Sequence, residues 1–338
     1  MKEYAETVTY LKSLNIHPGR YKDTVFLESF DGLPRQREFE ELYDYMTHFL
    51  ENHIDKELLP KAYVAFNDDS DINAAASKKD NLGVIIFCQG MVVRLFEMFA
   101  KNEYDLNTDP FFSDYKALLQ SSVTTISEFM FQNVCGFFFY HELGHLFQLS
   151  ADSEYIEFAD KSFTPEEAFE NHVKEHDADW HASIFLVSHL LRTVGTDGDR
   201  AVEATKKELQ CAMELSLSAI FAFFVDGLLS RNSYETIYFR ESSHPHPVIR
   251  LEYILANMLN SNDGEDSLPF ELDVEEITSN VKNICKTILQ HSNLDMGDMF
   301  NEQLKKKEEI FEYVLSLRKS NVANRNMSIP RIASTRKR

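Results

Sequence analysis

The sequence predicts a mainly α-helical (α+β) protein that contains one small β-sheet. Apolar residues recur at helical spacing through most of the 338 residues, as in "REFEELYDYMTHFLENHI". Two short runs rich in β-branched and aromatic residues, "KAYVAF" and "LGVIIFC", predict strands. The polar segment "NDDSDINAAASKKDN" between them predicts a loop. We therefore expect a sheet confined to about residues 60–90, with helices before and after it in the sequence.

Helices are predicted directly before and after these strands. The chain up to about residue 59 has helical periodicity, and "GMVVRLFEMFAKN" returns to a helix after the second strand. After the polar break "NTDPFFSD", the periodicity predicts one long helix from about Tyr115 to Leu149.

The next predicted helix has a well-marked start. Thr164 can cap it, Pro165 suits its first turn, and Glu167 completes a T-x-x-E capping box. A further long helix is predicted over about 201–229. The segment "SSHPHPV" must be extended, because a residue before proline is pushed out of the α region. "RLEYILANML" is helical again, "NSNDGEDSLP" is the best linker candidate, and two more helices are expected to about residue 320.

Composition and charge exclude several classes of protein. The net charge of −21 argues against nucleic-acid binding, which requires a basic surface, and against adsorption to anionic membranes. The longest apolar run, "LSLSAIFAFFVDGLL", is shorter than the roughly 20 residues that cross a bilayer, and it contains Asp226. It predicts a buried core helix and no membrane span. The four cysteines form no CxxC pair and the first residues lack a signal-peptide pattern, so we expect a cytoplasmic protein.

The segment "FFFYHELGHLFQLS" places two histidines and a glutamate inside an apolar helical run. Burying imidazole and carboxylate groups is costly unless they are paired or bind a metal. On a helix, His141 and His145 lie on one face, where they can bind one zinc ion, and Glu142 stands beside it to act on a bound water. The alternative is a pair of core histidines that are hydrogen-bonded to carbonyl groups.

A third ligand is expected downstream, because catalytic zinc usually takes three protein ligands and a water. The segment "EHDADWHA" offers Glu175 as that ligand. Asp179, one helical turn later, can accept a hydrogen bond from the free N–H of a ligand histidine. His176 and His172 on the same predicted helix are alternatives to Glu175 as the third ligand.

Taken together, these motifs resemble the gluzincin zinc metallopeptidases of the CAAX-prenyl-protease and HtpX type. "HELGH" is followed by E-x-x-A-D, as in that family. Upstream, "VAFNDDSDINAAA" and "GVIIFCQGMVVRLF" are similar to the family's strand, Asn-Ala loop and second strand, which ends at a glycine (Gly90 here) that opens a helix. Downstream, "HPHPVIRL" matches a His-Pro pair followed at a fixed distance by arginine. The likeness covers about residues 60–255. It departs from the family in two respects. Those members embed the domain among transmembrane helices, and the segment from about 101 to 130 lengthens the gap between Gly90 and the metal helix.

The resemblance implies a zincin-like metallopeptidase domain that binds one Zn²⁺ per chain. It implies His141, His145 and Glu175 as the zinc ligands and Glu142 as the general base and acid. The resemblance places the catalytic domain at residues 60–260. Helical periodicity predicts an N-terminal helical segment (1–59) and a C-terminal helical segment (261–320), and the basic composition of the last residues predicts a basic disordered tail (321–338).

The resemblance also implies roles for residues around the zinc site. Asp179 would support the ligands, and Arg250 would fix the neighbouring carboxylate. His244 would stabilise the oxyanion, although His246 could take that role, because the His-Pro pair occurs twice. The remaining two residues would lie beside the substrate strand: Asn73 and Ala74.

These observations predict a zinc-dependent endopeptidase that hydrolyses peptide bonds of a protein or peptide substrate with a Glu142-activated, zinc-bound water. The strand near 82–88 is expected at the sheet edge, where it would hold the substrate in extended form. A first alternative is a catalytically silent binding or regulatory protein that keeps the zinc fold. A second is a protein in which the motif is an accident of the core, and such a chain would bind no stoichiometric zinc.

Overall fold

The computed structural model describes residues 2–16, 24–52, 61–79, 82–119, 124–149, 164–194, 202–229, 237–260, 271–290 and 296–325. The helices within these ranges are α1 (Lys2–Ser13), α2 (Gln36–Asn52), α3 (Gln89–Ala100), α4 (Glu103–Thr108), α5 (Ser113–Leu119), α6 (Ile126–Gln148), α7 (Pro165–Thr193), α8 (Val202–Leu229), α9 (Pro247–Asn260), α10 (Val274–Leu289), α11 (Met296–Lys305) and α12 (Lys307–Arg325). The strands are β1 (Ala62–Asn67), β2 (Ala74–Lys79) and β3 (Leu82–Cys88). The predicted mainly α-helical class with one small sheet is confirmed.

The chain forms two compact units. The first unit comprises Met1–Arg94, His141–Lys161 and Lys319–Arg338, and the second comprises Leu95–Tyr140 and Ser162–Arg318. The boundaries fall inside α3, α6 and α12, so each of these helices contributes residues to both units. The domain boundaries predicted from the sequence stay a prediction.

The sheet of the first unit has the strand order β1-β3-β2, with β3 parallel to β1 and antiparallel to β2. Every residue of β3 is buried, as expected for a strand that has neighbours on both sides. The expectation that residues 82–88 form an edge strand is therefore wrong. Among the described strands, the edge positions belong to β1 and β2.

Strand β2 lies where the sequence predicted a polar loop. Its residues, AAASKK, have little intrinsic strand preference, since alanine and lysine are depleted in sheets. The strand forms because its backbone pairs with β3, from Ala74 opposite Phe87 to Lys79 opposite Leu82. Tertiary pairing has overridden local propensity here.

The outer side of β1 is covered by the N-terminal part of the first unit. The Phe66 amide donates to the Tyr4 hydroxyl (3.1 Å), and the Leu27 amide donates to the Phe66 carbonyl (2.9 Å). Aromatic rings of α1, α2 and the intervening segment pack beside these bonds, with Tyr4 and Phe30 centroids 4.3 Å apart. This cover protects the outer edge of β1, since an exposed strand edge invites unwanted pairing. At the opposite edge of the sheet, none of the described strands pairs with the outer side of β2.

The last two turns of α6, which belong to the first unit, pack on this sheet. A β-carbon placed on Gly83 of β3 would lie 2.8 Å from Leu146 Cδ1, so glycine permits the helix to approach the strand closely. Lys78 of β2 donates to the Leu149 carbonyl just beyond the helix end (3.2 Å). The histidine-bearing segment is therefore fixed to both β3 and β2.

The second unit is a set of packed helices around α8. Phe138 of α6 contacts Phe223 and Phe224 of α8, with centroids 4.6 and 5.7 Å away. Tyr140 of α6 stacks on Phe185 of α7 at 5.2 Å. Helix α9 packs against α7 and α8, and α10 packs along α8. Helices α7 and α9 thereby become neighbours, which determines the surroundings of Glu175 described below.

One stretch of the described residues, Lys206–Gly227 of α8, is long and apolar enough to cross a membrane on length and composition alone. Its most apolar window is 89% buried inside the protein, as the sequence predicts for a core helix.

The single long helix predicted from about Tyr115 to Leu149 is wrong. Helix α5 ends at Leu119, and α6 begins only at Ile126. The start of α6 has its own reciprocal cap, in which Thr125 Oγ1 accepts from the Glu128 amide and Glu128 Oε2 accepts from the Thr125 amide.

Other expected features can be compared with the structure directly. The capping box of Thr164 and Glu167 is present at the start of α7. Three helices, rather than the expected two, follow the predicted linker, whose residues 261–270 lie outside the described ranges. Helix α12 continues to Arg325 into the predicted disordered tail, and residues 326–338 of that tail also lie outside the described ranges.

Gly90 should be irreplaceable in the first unit. A β-carbon there would lie 2.0 Å from the Ser70 carbonyl oxygen, a backbone atom that cannot rotate away. We expect Gly90→Ala to lower the free energy of unfolding by about 2 kcal/mol or more. The matched control is Gly227→Ala in α8, where a β-carbon meets nothing within 4 Å, and it should stabilise the helix by up to about 1 kcal/mol. Urea unfolding measures both, and equal midpoints for the two variants would contradict the close approach.

Candidate metal centre

His141 and His145 lie one turn apart near the end of α6 and are buried, with 4% and 2% of their surfaces exposed. Their Nε2 atoms are 3.1 Å apart, and the ring planes are nearly perpendicular at 88°. Two zinc-bound nitrogens in tetrahedral geometry are separated by about 3.3 Å, given Zn–N bonds of about 2.0–2.1 Å. The pair therefore has the spacing that a shared metal ion requires.

Gln148 selects the tautomer of His145. The Gln148 Oε1 atom lies 2.9 Å from His145 Nδ1. An amide oxygen only accepts hydrogen bonds, so Nδ1 carries the proton and Nε2 of the neutral ring keeps a lone pair. A second-sphere bond of this kind is typical of histidines that bind metals through the other nitrogen.

Glu175 of α7 completes a group of three possible ligands. One donor atom each from His141, His145 and Glu175 lies within 4.8 Å of the others, and all three residues are buried. Two imidazoles and one carboxylate are a donor set that zinc accepts in catalytic sites. The residues present thus fit a metal ion.

Within the second unit, Glu175 is close to two basic side chains. Its Oε1 lies 3.8 Å from His244 Nε2, and its Oε2 lies 3.8 Å from Arg250 Nη2. Both distances exceed those of a hydrogen bond, so Arg250 acts on Glu175 chiefly through its charge. The negative charge of this buried carboxylate is therefore partly balanced by protein groups alone.

Arg250 is held mainly by Asp179, one turn after Glu175 on α7. Its Nε and Nη2 donate to the two carboxylate oxygens of Asp179 at 2.8 and 2.7 Å. The Tyr253 hydroxyl donates to the same carboxylate at 2.7 Å, and the guanidinium lies 3.8 Å from the centroid of Phe224. Burial, the largest single influence, lowers the pKa of Arg250, but Asp179, Tyr253 and Glu175 together raise it above its usual value.

The sequence predicts that Asp179 accepts a hydrogen bond from a ligand histidine, and this stays a prediction. The structure adds Arg250 and Tyr253 as hydrogen-bond donors to Asp179. Tyr253 was not among the predicted site residues. Its position three residues after Arg250, in "RLEY", places both side chains on one face of α9, and that spacing could have identified it.

The structure separates the two histidines of the doubled His-Pro motif. His244, whose side chain is 25% exposed, lies beside Glu175, with its Nδ1 3.0 Å from Ser243 Oγ. His246 is fully buried, and its Nδ1 accepts from the Val248 amide as the cap of α9. Burial lowers the pKa of His246 to about 4, so this ring is neutral at physiological pH.

The two alternative third ligands make other contacts. His172 has both nitrogens engaged, Nδ1 with the Tyr313 hydroxyl (2.8 Å) and Nε2 with the Ser242 carbonyl (2.9 Å). His176 packs its ring against Tyr253, with centroids 4.8 Å apart. Of the three candidates, Glu175 is the one grouped with the histidine pair.

The remaining predicted residues lie in the first unit. Glu142, adjacent to His141 on α6, is buried with 6% of its surface exposed. Asn73 immediately precedes β2, where its Oδ1 accepts from the Ala74 amide (2.9 Å) and its carbonyl accepts from the Cys88 amide (3.0 Å). Asn73 and Ala74 are therefore fixed at the start of the outer strand. The roles predicted for these three residues stay predictions.

Comparison of the chain with known protein families, curated proteins and solved structures finds no match.

Replacing Arg250 should lower the stability of the protein far more than replacing an exposed arginine. Arg250→Met leaves the fully buried Asp179 without its cation, and loss of one member of a buried pair costs about 3–5 kcal/mol. The control, Arg37→Met, breaks an exposed pair with Glu41 and should change stability little. Thermal unfolding of both variants tests this, and an unchanged midpoint for Arg250→Met would refute the structural role of the pair.

Proposed function

We propose that the protein is a zinc-dependent endopeptidase with a zincin-like catalytic domain. The observation that carries the proposal is the buried group of His141, His145 and Glu175, whose donor atoms lie within 4.8 Å of one another. The resemblance of the surrounding motifs to gluzincin peptidases supports the same conclusion. Glu142 gives the site a carboxylate beyond those needed to bind a metal.

The three grouped residues would hold one Zn²⁺ per chain. The ion, when bound, would supply Lewis acidity that polarises a scissile carbonyl and lowers the pKa of a water toward about 7. His141 and His145 contribute neutral nitrogen donors, and Glu175 contributes one negative charge. The site would then keep a net positive charge, which favours a developing oxyanion.

Glu142 is proposed as the group that moves the proton. Its carboxylate takes a proton from the attacking water and delivers it to the leaving amine. The residue follows His141 on α6, so its side chain points about 100° around the helix from the histidine face. Glu142 would thus stand beside the metal ligands without being one of them.

Three residues of the second unit would support the reaction. His244, beside Glu175, would donate a hydrogen bond to the oxyanion of the substrate. Arg250, anchored on Asp179, would fix the position of the Glu175 carboxylate through its charge. Both roles use groups within 3.8 Å of the proposed carboxylate ligand.

The substrate would be a protein or peptide bound in extended form by a cytoplasmic enzyme. The docking strand would be β2, because β3 is the central strand of the sheet and the outer side of β2 pairs with none of the described strands. Asn73 immediately precedes that strand, and Ala74 begins it. Strand addition would give affinity through main-chain hydrogen bonds.

A catalytically silent zinc-binding or regulatory protein is the second candidate. It is favoured by the proximity of Arg250 to Glu175, since this charge partly balances the buried carboxylate whatever the metal content. The presence of Glu142 favours the peptidase, because a purely structural site has no use for that carboxylate.

The first test is metal content. We expect purified protein to contain one zinc per chain by mass spectrometry of the metal, since three buried donors converge. Variants that remove one donor, His145→Ala and Glu175→Ala, should fall below one tenth of that content. His48→Ala, an exposed residue of α2, is the control and should keep it. A parent protein without stoichiometric zinc at neutral pH would contradict the metal site.

The second test is hydrolysis. Glu142→Gln is expected to bind zinc as the parent does and to lose at least about 100-fold of its peptidase rate, because proton transfer by a positioned side chain contributes that much. The rate is measured on unfolded protein substrates by the appearance of new amino termini. Equal rates in parent and variant would remove the assignment of Glu142, and zinc binding without any hydrolysis by the parent would favour the silent protein.

A further inference from the structure

Residues Ile237–His246, which we call the His244 segment, have no regular secondary structure. A segment without helix or strand hydrogen bonds must be held by side chains if one of its residues is to occupy a defined position. His244 lies near its end, beside Glu175. What fixes the segment therefore decides where the His244 ring lies.

The most direct tie is a hydrogen bond from α7. His172 Nε2 is 2.9 Å from the carbonyl oxygen of Ser242, two residues before His244. A carbonyl oxygen only accepts, so Nε2 carries the proton and Nδ1 of the neutral ring must be an acceptor. Glu175 lies one turn further along the same helix, so one rigid element holds both the segment and the proposed carboxylate ligand.

Tyr313 of α12 completes this tie. Its hydroxyl is 2.8 Å from His172 Nδ1 and donates to it, which stabilises the tautomer that bonds to Ser242. Burial lowers the pKa of His172 to about 4, so the ring keeps this neutral form at physiological pH. The Tyr313 ring also packs against Phe239 of the segment, with centroids 5.3 Å apart.

Further contacts hold the first half of the segment. Lys306, between α11 and α12, donates to the Ile237 carbonyl (3.0 Å). The Arg240 guanidinium lies 4.6 Å from the centroid of Phe169 on α7. The Glu241 carboxylate accepts from the Phe239 and Arg240 amides, which folds the segment back on itself. The segment is thus fixed between α7 and the C-terminal helices.

We propose that His172 and Tyr313 are positioning residues that hold the His244 ring beside Glu175. Neither residue is among those that would bind zinc or transfer a proton. The inference rests on the proposed function only in giving His244 a role toward substrate. The positioning itself concerns hydrogen bonds within the second unit.

A purely structural role for the pair would predict a different result. If Tyr313 and His172 only filled space in the core, replacing the hydroxyl by hydrogen would lower stability without altering His244. Tyr313→Phe is the sharpest variant, because it removes one oxygen and retains the ring that packs on Phe239. Tyr115→Phe is its matched control, since that hydroxyl bonds to the buried Glu214 on α8 and touches neither the segment nor His172.

The experiment uses the full chain with ¹⁵N-labelled histidine, first without metal and then with one equivalent of zinc. Long-range ¹H–¹⁵N spectra report the tautomer and surroundings of each ring, and His244→Gln assigns the signal of His244. We expect Tyr313→Phe to move or broaden the His244 signal, and Tyr115→Phe to leave it in place. His172→Gln, which retains a donor and an acceptor, should restore more of the parent spectrum than His172→Phe.

Kinetics supply the second readout. In the zinc-loaded enzyme, Tyr313→Phe should lower kcat about tenfold with little change in KM and full zinc content, because a small displacement of a group that acts in the transition state is costly there. An unchanged His244 signal in Tyr313→Phe overturns the inference. If the parent has no peptidase activity, the proposed function fails, and the spectra still decide the positioning, because they require neither substrate nor turnover.

Discussion

The position of Glu175, the carboxylate of the candidate metal centre, depends on one buried ion pair, Arg250 with Asp179. Each charge alone would be unstable away from water, and the pair persists because two short hydrogen bonds, the Tyr253 hydroxyl and the face of Phe224 satisfy it. Glu175 lies one turn before Asp179 on α7, so the same guanidinium influences both carboxylates. The position of the proposed ligand follows from how firmly Arg250 is fixed.

In the histidine pair, the electrostatic problem is repulsion between two nitrogen lone pairs. The two imidazoles face each other through Nε2 atoms 3.1 Å apart, and two lone pairs in that position would repel. A proton on one nitrogen or a cation between them relieves the repulsion. Because Gln148 holds the proton of His145 on Nδ1, the proton in a metal-free site would belong to His141 Nε2. Metal binding would then require the Nε2 atom of His141 to give up that proton.

The sequence predicted much of the architecture, and the failures have physical causes. Short runs of β-branched and aromatic residues identified β1 and β3, and the capping box of Thr164 and Glu167 identified the start of α7. Strand β2 was missed because its alanines and lysines are extended only through pairing with β3. The break before α6 was missed because the helical apolar pattern concealed the cap made by Thr125 and Glu128.

The site could be predicted only as far as short-range spacing extends. The i and i+4 rule brought His141 and His145 to one face of α6, and Glu175 and Asp179 to one face of α7. The hydrogen bonds of Asp179 could not be predicted in this way, because Arg250 and Tyr253 reach it from a helix about seventy residues away in sequence. The ties from His172 and Tyr313 depend on a separation of 141 residues, which no local pattern encodes.

The composition of β2 has a consequence for selectivity. Its first three residues, Ala74, Ala75 and Ala76, carry single methyl groups and can form no deep side-chain pockets. A polypeptide lying alongside this strand would be recognised through its main chain, which all sequences share. Selection among target proteins would then depend on whether a stretch of the target is sufficiently unfolded to become extended. The folded state of the target would matter more than its amino-acid sequence.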